Sequence, residues 1–510
     1  MLFPSAFFEK KLTFGLSRDM LSMHRGCFVW YIIANKCMLV GDFFIPRTTV
    51  YSQEETAMPQ HDQSENAFLS GPILPPLLRF AFPLMLSLVL QALYGGVDLM
   101  VVGKFSSTAS VSAVATGSQM MQTATVLVAG LTMGVTVLVG RAVGAGKPEA
   151  AGSIVAAQIR LFTGAALVLT GLIVAFAPQA AAVMNVPEEA LTETIQYIRI
   201  CGGGMVFITA YNAISGIFRG VGNSRSPFLF VFIACIVNVV LDLLFVAGLD
   251  MASAGAALAT VIAQAASVLF SLLYIRRHPL PFRLSRQSFQ SRGAAGDILR
   301  VGVPIALQDT LVHISFLIIT SIVNTLGVVA SASIGISEKY FVILSIVPSA
   351  FMSALSAFVA QNMGADKPQR ATRALLLAQG ISFLCGAVIF LLTFLGGGTL
   401  AALFDNDPAV IAATADYMHG SAFEYLIVPF TFCFLGYFNG RERTTFVMLQ
   451  GLLSAFLVRI PLSYFLSRLP DTGMFTISLA VPASAVVSLT MCLLYFLHLR
   501  RRERGTPDFC

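Results

Sequence analysis

Charge is scarce in this sequence: 11% of its 510 residues are Asp, Glu, Lys or Arg, against 56% hydrophobic residues. A soluble domain carries about 25% charged residues, so a chain of this size and composition cannot cover itself with a water-facing surface. Paired cysteines are missing as well. The eight cysteines show no C-x-x-C spacing and mostly lie inside apolar runs, which marks them as small buried hydrophobes rather than disulfides or metal ligands. A phosphate-gripping loop is also absent, although VGRAVGAGKPEAA (139–151) imitates one. A Walker A loop needs Gly five positions before the Gly of its Gly-Lys pair and Ser or Thr after the Lys; Arg141 and Pro148 stand there. The formal charge of +6 does not point to nucleic acid, because the basic residues fall where membrane topology puts them.

What the sequence does have is long apolar runs. LFTGAALVLTGLIVAFA (161–177) and FLFVFIACIVNVVLDLLFVAG (228–248) hold at most one charge over a length that crosses a bilayer. Twelve such segments are expected, at 77–102, 113–139, 154–178, 196–217, 228–249, 253–275, 298–322, 331–360, 374–399, 415–437, 444–467 and 474–498. Those at 196–217 and 415–437 are the weakest, since both contain polar positions.

Charge bias supports the count. Connectors after even-numbered segments carry Arg141 and Lys147; Arg219 and Arg225; Arg276, Arg277, Arg283, Arg286 and Arg292; Lys367, Arg370 and Arg373; Arg441 and Arg443. Arg500, Arg501, Arg502 and Arg504 follow the twelfth. Odd connectors hold Lys104, Glu188 with Glu189, Asp250, Asp405 with Asp407, and Arg468 with Asp471. Both ends of the membrane domain are therefore expected in the cytoplasm.

The chain also repeats itself. VAQNMGADKPQRA (359–371) matches the Walker-like stretch at six of thirteen positions, 220 residues on. Phe218-Arg219-Gly220 returns as Phe438-Asn439-Gly440, and Pro83 returns as Pro304. A repeat with an even number of spans re-enters the membrane in the same orientation. The expected fold is an all-α integral membrane protein of 12 transmembrane helices, in two six-helix lobes related by a pseudo-twofold axis along the membrane normal. A central cavity between such lobes is the build of an alternating-access transporter, not of an enzyme. The loop repeats become tight cytoplasmic turns, with Gly144, Gly146 and Gly364 permitting close or left-handed backbone and Pro148 and Pro368 starting the next helix.

The expected divisions are an extension at 1–69, an N-lobe at 70–275, a basic cytoplasmic linker at 276–297, a C-lobe at 298–498 and a basic tail at 499–510. Within the extension, residues 1–57 read as a misassigned start, with Met58 as the alternative, or as a disordered stretch. Lys36 and Asp42 interrupt its apolar run, which argues against both a clean span and a signal peptide, and leaves an interfacial segment.

Ionisable groups at membrane depth are functional candidates by default. Asp98 lies in the first span, Asn238 and Asp242 share one face of the fifth, and Thr260 lies in the sixth. Carboxylates with an amide and a hydroxyl are hard donors that suit Na⁺, or a proton held on a carboxylate. The second half does not copy them, for Arg459 stands where the first half has its Asn/Asp face. Its candidate polar site is Gln308, Asp309, His313 and Arg459, and Glu338, Lys339, Glu424 and Tyr425 also read as buried. The 41 Phe and 19 Met residues would offer apolar and cation–π contacts if they line the cavity.

Seven stretches in order, GPILPPLLRFAFP, LQALYGGVDLMVVGKF, VGRAVGAGKPEAA, FRGVGNSRSP, NVVLDLLFVAG with AGAALAT, VAQNMGADKP and RIPLSY, resemble the multidrug and toxic compound extrusion (MATE) transporters over residues 70–498. The resemblance is to the branch that includes the DNA-damage-inducible F proteins. It implies a V-shaped pair of lobes in a bacterial cytoplasmic membrane, with Na⁺ or H⁺ entry driving export of organic cations and drugs. It also implies that Asp98, Asn238, Asp242 and Thr260 are the cation ligands. No cofactor, no nucleic acid and no resident metal is implied; the partners are small-molecule substrates and lipids, and the protein is expected to be monomeric. The alternative within the superfamily is a lipid-linked oligosaccharide flippase or a metabolite exporter.

Overall fold

An apolar run in lipid must satisfy its own backbone, so it folds as a helix. The computed structural model describes residues 67–505, apart from 283, 285–287, 290–292 and 471. The readings placed on residues 1–57, namely a misassigned start, a disordered stretch or an interfacial segment, lie outside the described residues.

Ten helices among the described residues are long and apolar enough to cross a membrane: α1 (Leu74–Phe105), α2 (Thr108–Gly144), α3 (Pro148–Ala175), α5 (Arg225–Gly248), α6 (Ala252–Arg277), α7 (Gly293–Asn324), α8 (Val328–Gly364), α9 (Pro368–Ala401), α11 (Thr444–Ser467) and α12 (Met474–Glu503). Two further segments are bent helix pairs, which bring the number to 12 when each pair is taken as one span. In α4, Glu188–Gly203 meets Met205–Val221 at 46°, and in α10, Pro408–Ser421 meets Glu424–Gly440 at 49°. These are the two segments whose sequences looked weakest. Their polar positions lie on both sides of the bend, Arg199 before and Asn212 after it in α4, and Asp416 before and Glu424 after it in α10. Large apolar side chains such as Leu167, Leu244, Leu395 and Leu457 are exposed on the outside of the bundle, the surface lipid would cover.

Helix ends follow local chemistry. Ser107 caps α2 by accepting from the Ser110 N–H at 3.2 Å. Pro148 and Pro368 occupy the first positions of α3 and α9, where a missing N–H does no harm. Just before them, Gly146 (φ +65°) and Asp366 (φ +59°) adopt the left-handed conformation at positions 220 apart. Gly222 (φ +93°) and Glu442 (φ +58°) form a second such pair after α4 and α10. The duplication is thus kept in backbone conformation even where glycine has been replaced.

The first part of each half's opening helix is buried in the core of the other half, while the later part stays with its own: Val101 and Val102 of α1 lie in the N-terminal core, and Ile319 and Val323 of α7 pack with Ile334 and Tyr417. Ile298, Val301 and Ile305 of α7 are buried with Val128, Met133 and Val137 of α2 in the N-terminal core. Leu77, Phe80 and Leu84 of α1 are buried with Phe351, Leu355 and Phe358 of α8 in the C-terminal core. Small residues permit the closest approach: a Cβ on Gly130 would lie 2.4 Å from the Cα of Ala306, and one on Gly134 would lie 2.7 Å from that of Gly302. This small-xxx-small contact is how helices gain packing where no hydrophobic force drives them together.

The ends of α2 and α8 meet at the two loop repeats. Gln361 Nε2 donates to the Gly220 carbonyl at 2.8 Å. Arg141, in the first repeat, bonds Glu442 at 2.5 Å. The residues before α1 are tied to the second repeat, where Asn362 and Arg370 donate to the carbonyl of Phe68 at 3.1 and 2.9 Å. This is the end of the bundle at which Lys and Arg gather, the end the sequence expects in the cytoplasm.

Candidate cation site

Three helices each bring one turn of polar side chains to the same place in the N-terminal half. Helix α1 carries Tyr94 and Asp98, α5 carries Asn238 and Asp242, and α6 carries Thr260 and Gln264; each pair is four residues apart and shares a face. A buried threonine in a helix ordinarily bonds back to the preceding turn, yet Thr260 Oγ1 donates to Asp98 Oδ2 at 3.3 Å. Asp98 also interacts with Asp242 and Asn238. Asn238 and Asp242 are fully buried, and Asp98 is 5% exposed.

The donors outnumber their partners. Asp98 Oδ1, both carboxylate oxygens of Asp242 and both amide atoms of Asn238 are buried without a hydrogen-bond partner among the described residues. Two carboxylates sharing one dry pocket need a cation or a proton to answer their charge. Hard oxygens from two carboxylates, an amide and a hydroxyl match a small monovalent cation in kind. Among the described residues, no group of three or more His, Cys, Asp or Glu is placed to hold a transition-metal type of ion.

Local backbone shapes the pocket. Directly after Asp242, α5 widens into a π-helical turn, Leu243–Gly248, a departure that recurs at functional positions. On α6, Ala256 lies one turn before Thr260 and keeps that face thin. Gly117 of α2 makes room for the Tyr197 ring, since a Cβ there would lie 2.3 Å from its Cδ1.

Three neighbours escaped the sequence reading. Tyr94 lies beside Gln264 and within electrostatic reach of Asp98 and Asp242. Tyr197, buried on α4, is within reach of Asp98 and Tyr94. The signal that could have found Tyr94 and Gln264 is the one-turn spacing itself, from Asp98 back to Tyr94 and from Thr260 on to Gln264.

The second half is arranged differently. Arg459 ends another π-helical turn, Leu453–Arg459, and its guanidinium donates through Nε to Ser484 Oγ at 2.9 Å. Its Nη2 pairs with Glu424 Oε1 at 3.7 Å, and its plane covers the Phe316 ring at 4.6 Å. Glu338 accepts from Thr320 and lies within electrostatic reach of His313. Gln308 is buried against Gly451, while Asp309 is half-buried without a hydrogen bond or ion pair among the described residues. Gln308, Asp309, His313 and Arg459 therefore sit in separate contacts, with Arg459 committed to Glu424. The five cysteines among the described residues are free.

Known proteins share this architecture. The sequence profile of the MatE family matches residues 83–244 and again residues 304–465, the same two halves that the repeats mark out. The probable multidrug resistance protein YpnP of Bacillus subtilis (strain 168) is 25% identical over 437 residues, covering 84% of this chain and 96% of its own. The multidrug export protein MepA of Staphylococcus aureus (strain MRSA252) is 22% identical over 462 residues, covering 88% and 98%. Among solved structures, the outward-facing conformation of a multidrug resistance MATE family transporter of the MOP superfamily superposes with a TM-score of 0.81 at 20% identity, over 89% of this chain and all of that one. A MATE in complex with MaL6 gives 0.79 at 20% identity, over 86% and 98%. The all-α, multi-helix membrane fold is the one these structures have.

Proposed function

The chain belongs to the MatE family, and from that premise we propose that it is a cation-coupled antiporter that exports organic cations and drugs across a bacterial cytoplasmic membrane. It is a secondary active transporter and not an enzyme. The names of YpnP and MepA support the substrate class, and the motif run supports placement beside the DNA-damage-inducible F proteins. The observation that carries the coupling is the buried cluster of Asp98, Asn238, Asp242 and Thr260, in which five polar atoms lack a protein partner.

The working parts are the lobes at 70–275 and 298–498, joined by the linker at 276–297. With the cytoplasmic ends of α2 and α8 together, Na⁺ or H⁺ reaches Asp98 and Asp242 from outside. Occupancy answers the paired carboxylates, changes how α1 packs on α5 and α6, and lowers the affinity for the exported solute. An ion shifts the equilibrium only by its differential affinity for the two states. Full release of the ion inside then returns the transporter for the next solute. The protein works as a monomer with both ends of its membrane domain in the cytoplasm.

The test is reconstitution in liposomes, with ethidium movement followed against an imposed ΔpH and an imposed ΔNa⁺ separately. Export driven by either gradient supports antiport and names the ion. Ethidium movement that ignores both gradients would overturn the proposal.

A further inference from the structure

At the cytoplasmic end, next to the meeting point of the loop repeats, lies a cavity of about 630 Å³. Its wall takes Arg141 from α2, Asp297 and Arg300 from α7, and Arg441, Glu442 and Arg443 from the turn between α10 and α11. Four guanidiniums therefore face two carboxylates. Two of the four are engaged: Arg141 bonds Glu442 Oε1 at 2.5 Å, and Arg441 bonds Glu503 and donates to Tyr437 Oη at 2.6 Å. Burial pulls the Arg441 pKa down, but Glu503 and Tyr437 outweigh it and hold the guanidinium above the usual arginine range. The guanidiniums of Arg300 and Arg443 have neither a hydrogen bond nor an ion pair among the described residues, and both residues are exposed and line the cavity. Asp297 is the one carboxylate left to face them.

A second feature points the same way. Helix α11 begins in this wall at Thr444, and no side chain caps its first turn. Free N–H groups at a helix start favour an anion, and planar guanidiniums match phosphate oxygens two at a time. The volume is that of a small-molecule site, larger than one phosphate needs, and leaves room for an organic remainder. An adjoining cavity of about 340 Å³ extends it past His498 and Arg502 toward the membrane surface end of α12.

We propose that this cavity binds a phosphate group, carried either by an acidic lipid headgroup or by a soluble phosphate ester, and that the occupant braces the two halves with their cytoplasmic ends together. Arg141 belongs to the first half and the remaining arginines to the second. The cavity therefore exists in this arrangement only while the ends are in contact, and an occupant favours that arrangement. Because the readout is binding, failure here would leave the antiport reading standing.

The experiment uses the full chain in neutral detergent at constant ionic strength, following the thermal midpoint as probe is added. The probes are inorganic pyrophosphate, glycerol phosphate, and mixed micelles of phosphatidylglycerol or phosphatidylcholine. A saturable rise with phosphatidylglycerol alone assigns the lipid source, and one with the soluble probes alone assigns the ester. In Arg300→Gln/Arg443→Gln the apparent affinity should fall about tenfold or more, the scale of losing paired charge-assisted bonds. Arg300→Lys/Arg443→Lys should bind with an affinity between those of the wild type and the Gln variant, since it retains both charges but loses the planar fork. Both side chains are exposed and unbonded, so the variants keep the fold. No saturable shift with any phosphate-bearing probe, or equal shifts in the wild type and the Gln variant, would overturn the proposal.

Discussion

Gly144 and Gly364 face one another across the midline of the repeat. A Cβ on Gly144 would lie 2.0 Å from the carbonyl oxygen of Gln361, and a Cβ on Gly364 would lie 2.0 Å from that of Arg141. Each glycine meets the residue three positions before the other, as a twofold relation requires. Gly144→Ala or Gly364→Ala should force the ends of α2 and α8 apart. We expect a loss of about 1–3 kcal/mol in stability, typical of overpacking, with transport reduced in parallel. Thermal midpoints and liposome flux check this; wild-type values for both would show that the contact gives way freely.

Replacing Asp98 or Asp242 with Asn should abolish ion-driven efflux while leaving monodisperse, folded protein. Thr260→Ala, which removes the 3.3 Å bond to Asp98, should weaken the apparent cation affinity by roughly tenfold, the scale of one hydrogen bond to a charged group. Flux measured against cation concentration separates the two cases. Undiminished transport by both Asn variants sinks the site.

Tyr94→Phe and Gln264→Leu test the outer ring of the pocket, where these side chains lie together beside Asp98 and Asp242. The expected outcome is a shifted cation dependence, with the maximal rate and thermal midpoint near wild type. A lowered midpoint with an unshifted cation dependence would make the pair structural.

Glu424 and Arg459 form an ion pair whose side chains are 4% and 10% exposed. Removing one partner of such a pair costs about 3–5 kcal/mol because it strands the other charge, whereas removing both together costs much less. Glu424→Gln and Arg459→Met should therefore each lower the thermal midpoint, and the double variant should recover most of the loss. A double variant as unstable as the sum of the singles would mean that the two side chains act independently.

Much of this was legible in the sequence. Long apolar runs and alternating loop charge marked twelve segments, of which ten are unbroken helices and the two weakened by polar residues are the two that bend, α4 and α10. The loop glycines were legible because close approach and left-handed backbone exclude most side chains: Gly146 takes φ +65°, and Gly144 and Gly364 have no room for a Cβ. The Asp98, Asn238, Asp242 and Thr260 cluster could be named because charge is conspicuous in lipid. Its companions Tyr94 and Gln264 were hidden, since such residues occur in apolar helices for many reasons and only the meeting of three helices selects these two. The Arg459–Glu424 pair was hidden for another reason. A π-helical turn ends at Arg459, and the extra residue rotates everything after it away from the face that regular 3.6-residue spacing assigns.

The burial of the first turns of α1 in the C-terminal core sets a timetable for biosynthesis. Helix α1 leaves the ribosome early, but Phe351, Leu355 and Phe358, which bury it, lie more than two hundred residues further along the chain. At roughly 5–20 residues per second of synthesis, the Leu77–Leu84 face of α1 waits in the bilayer for tens of seconds turned to lipid. Neither half made by itself holds all the helices of its own interior. Co-expressed halves should therefore accumulate together or be degraded separately.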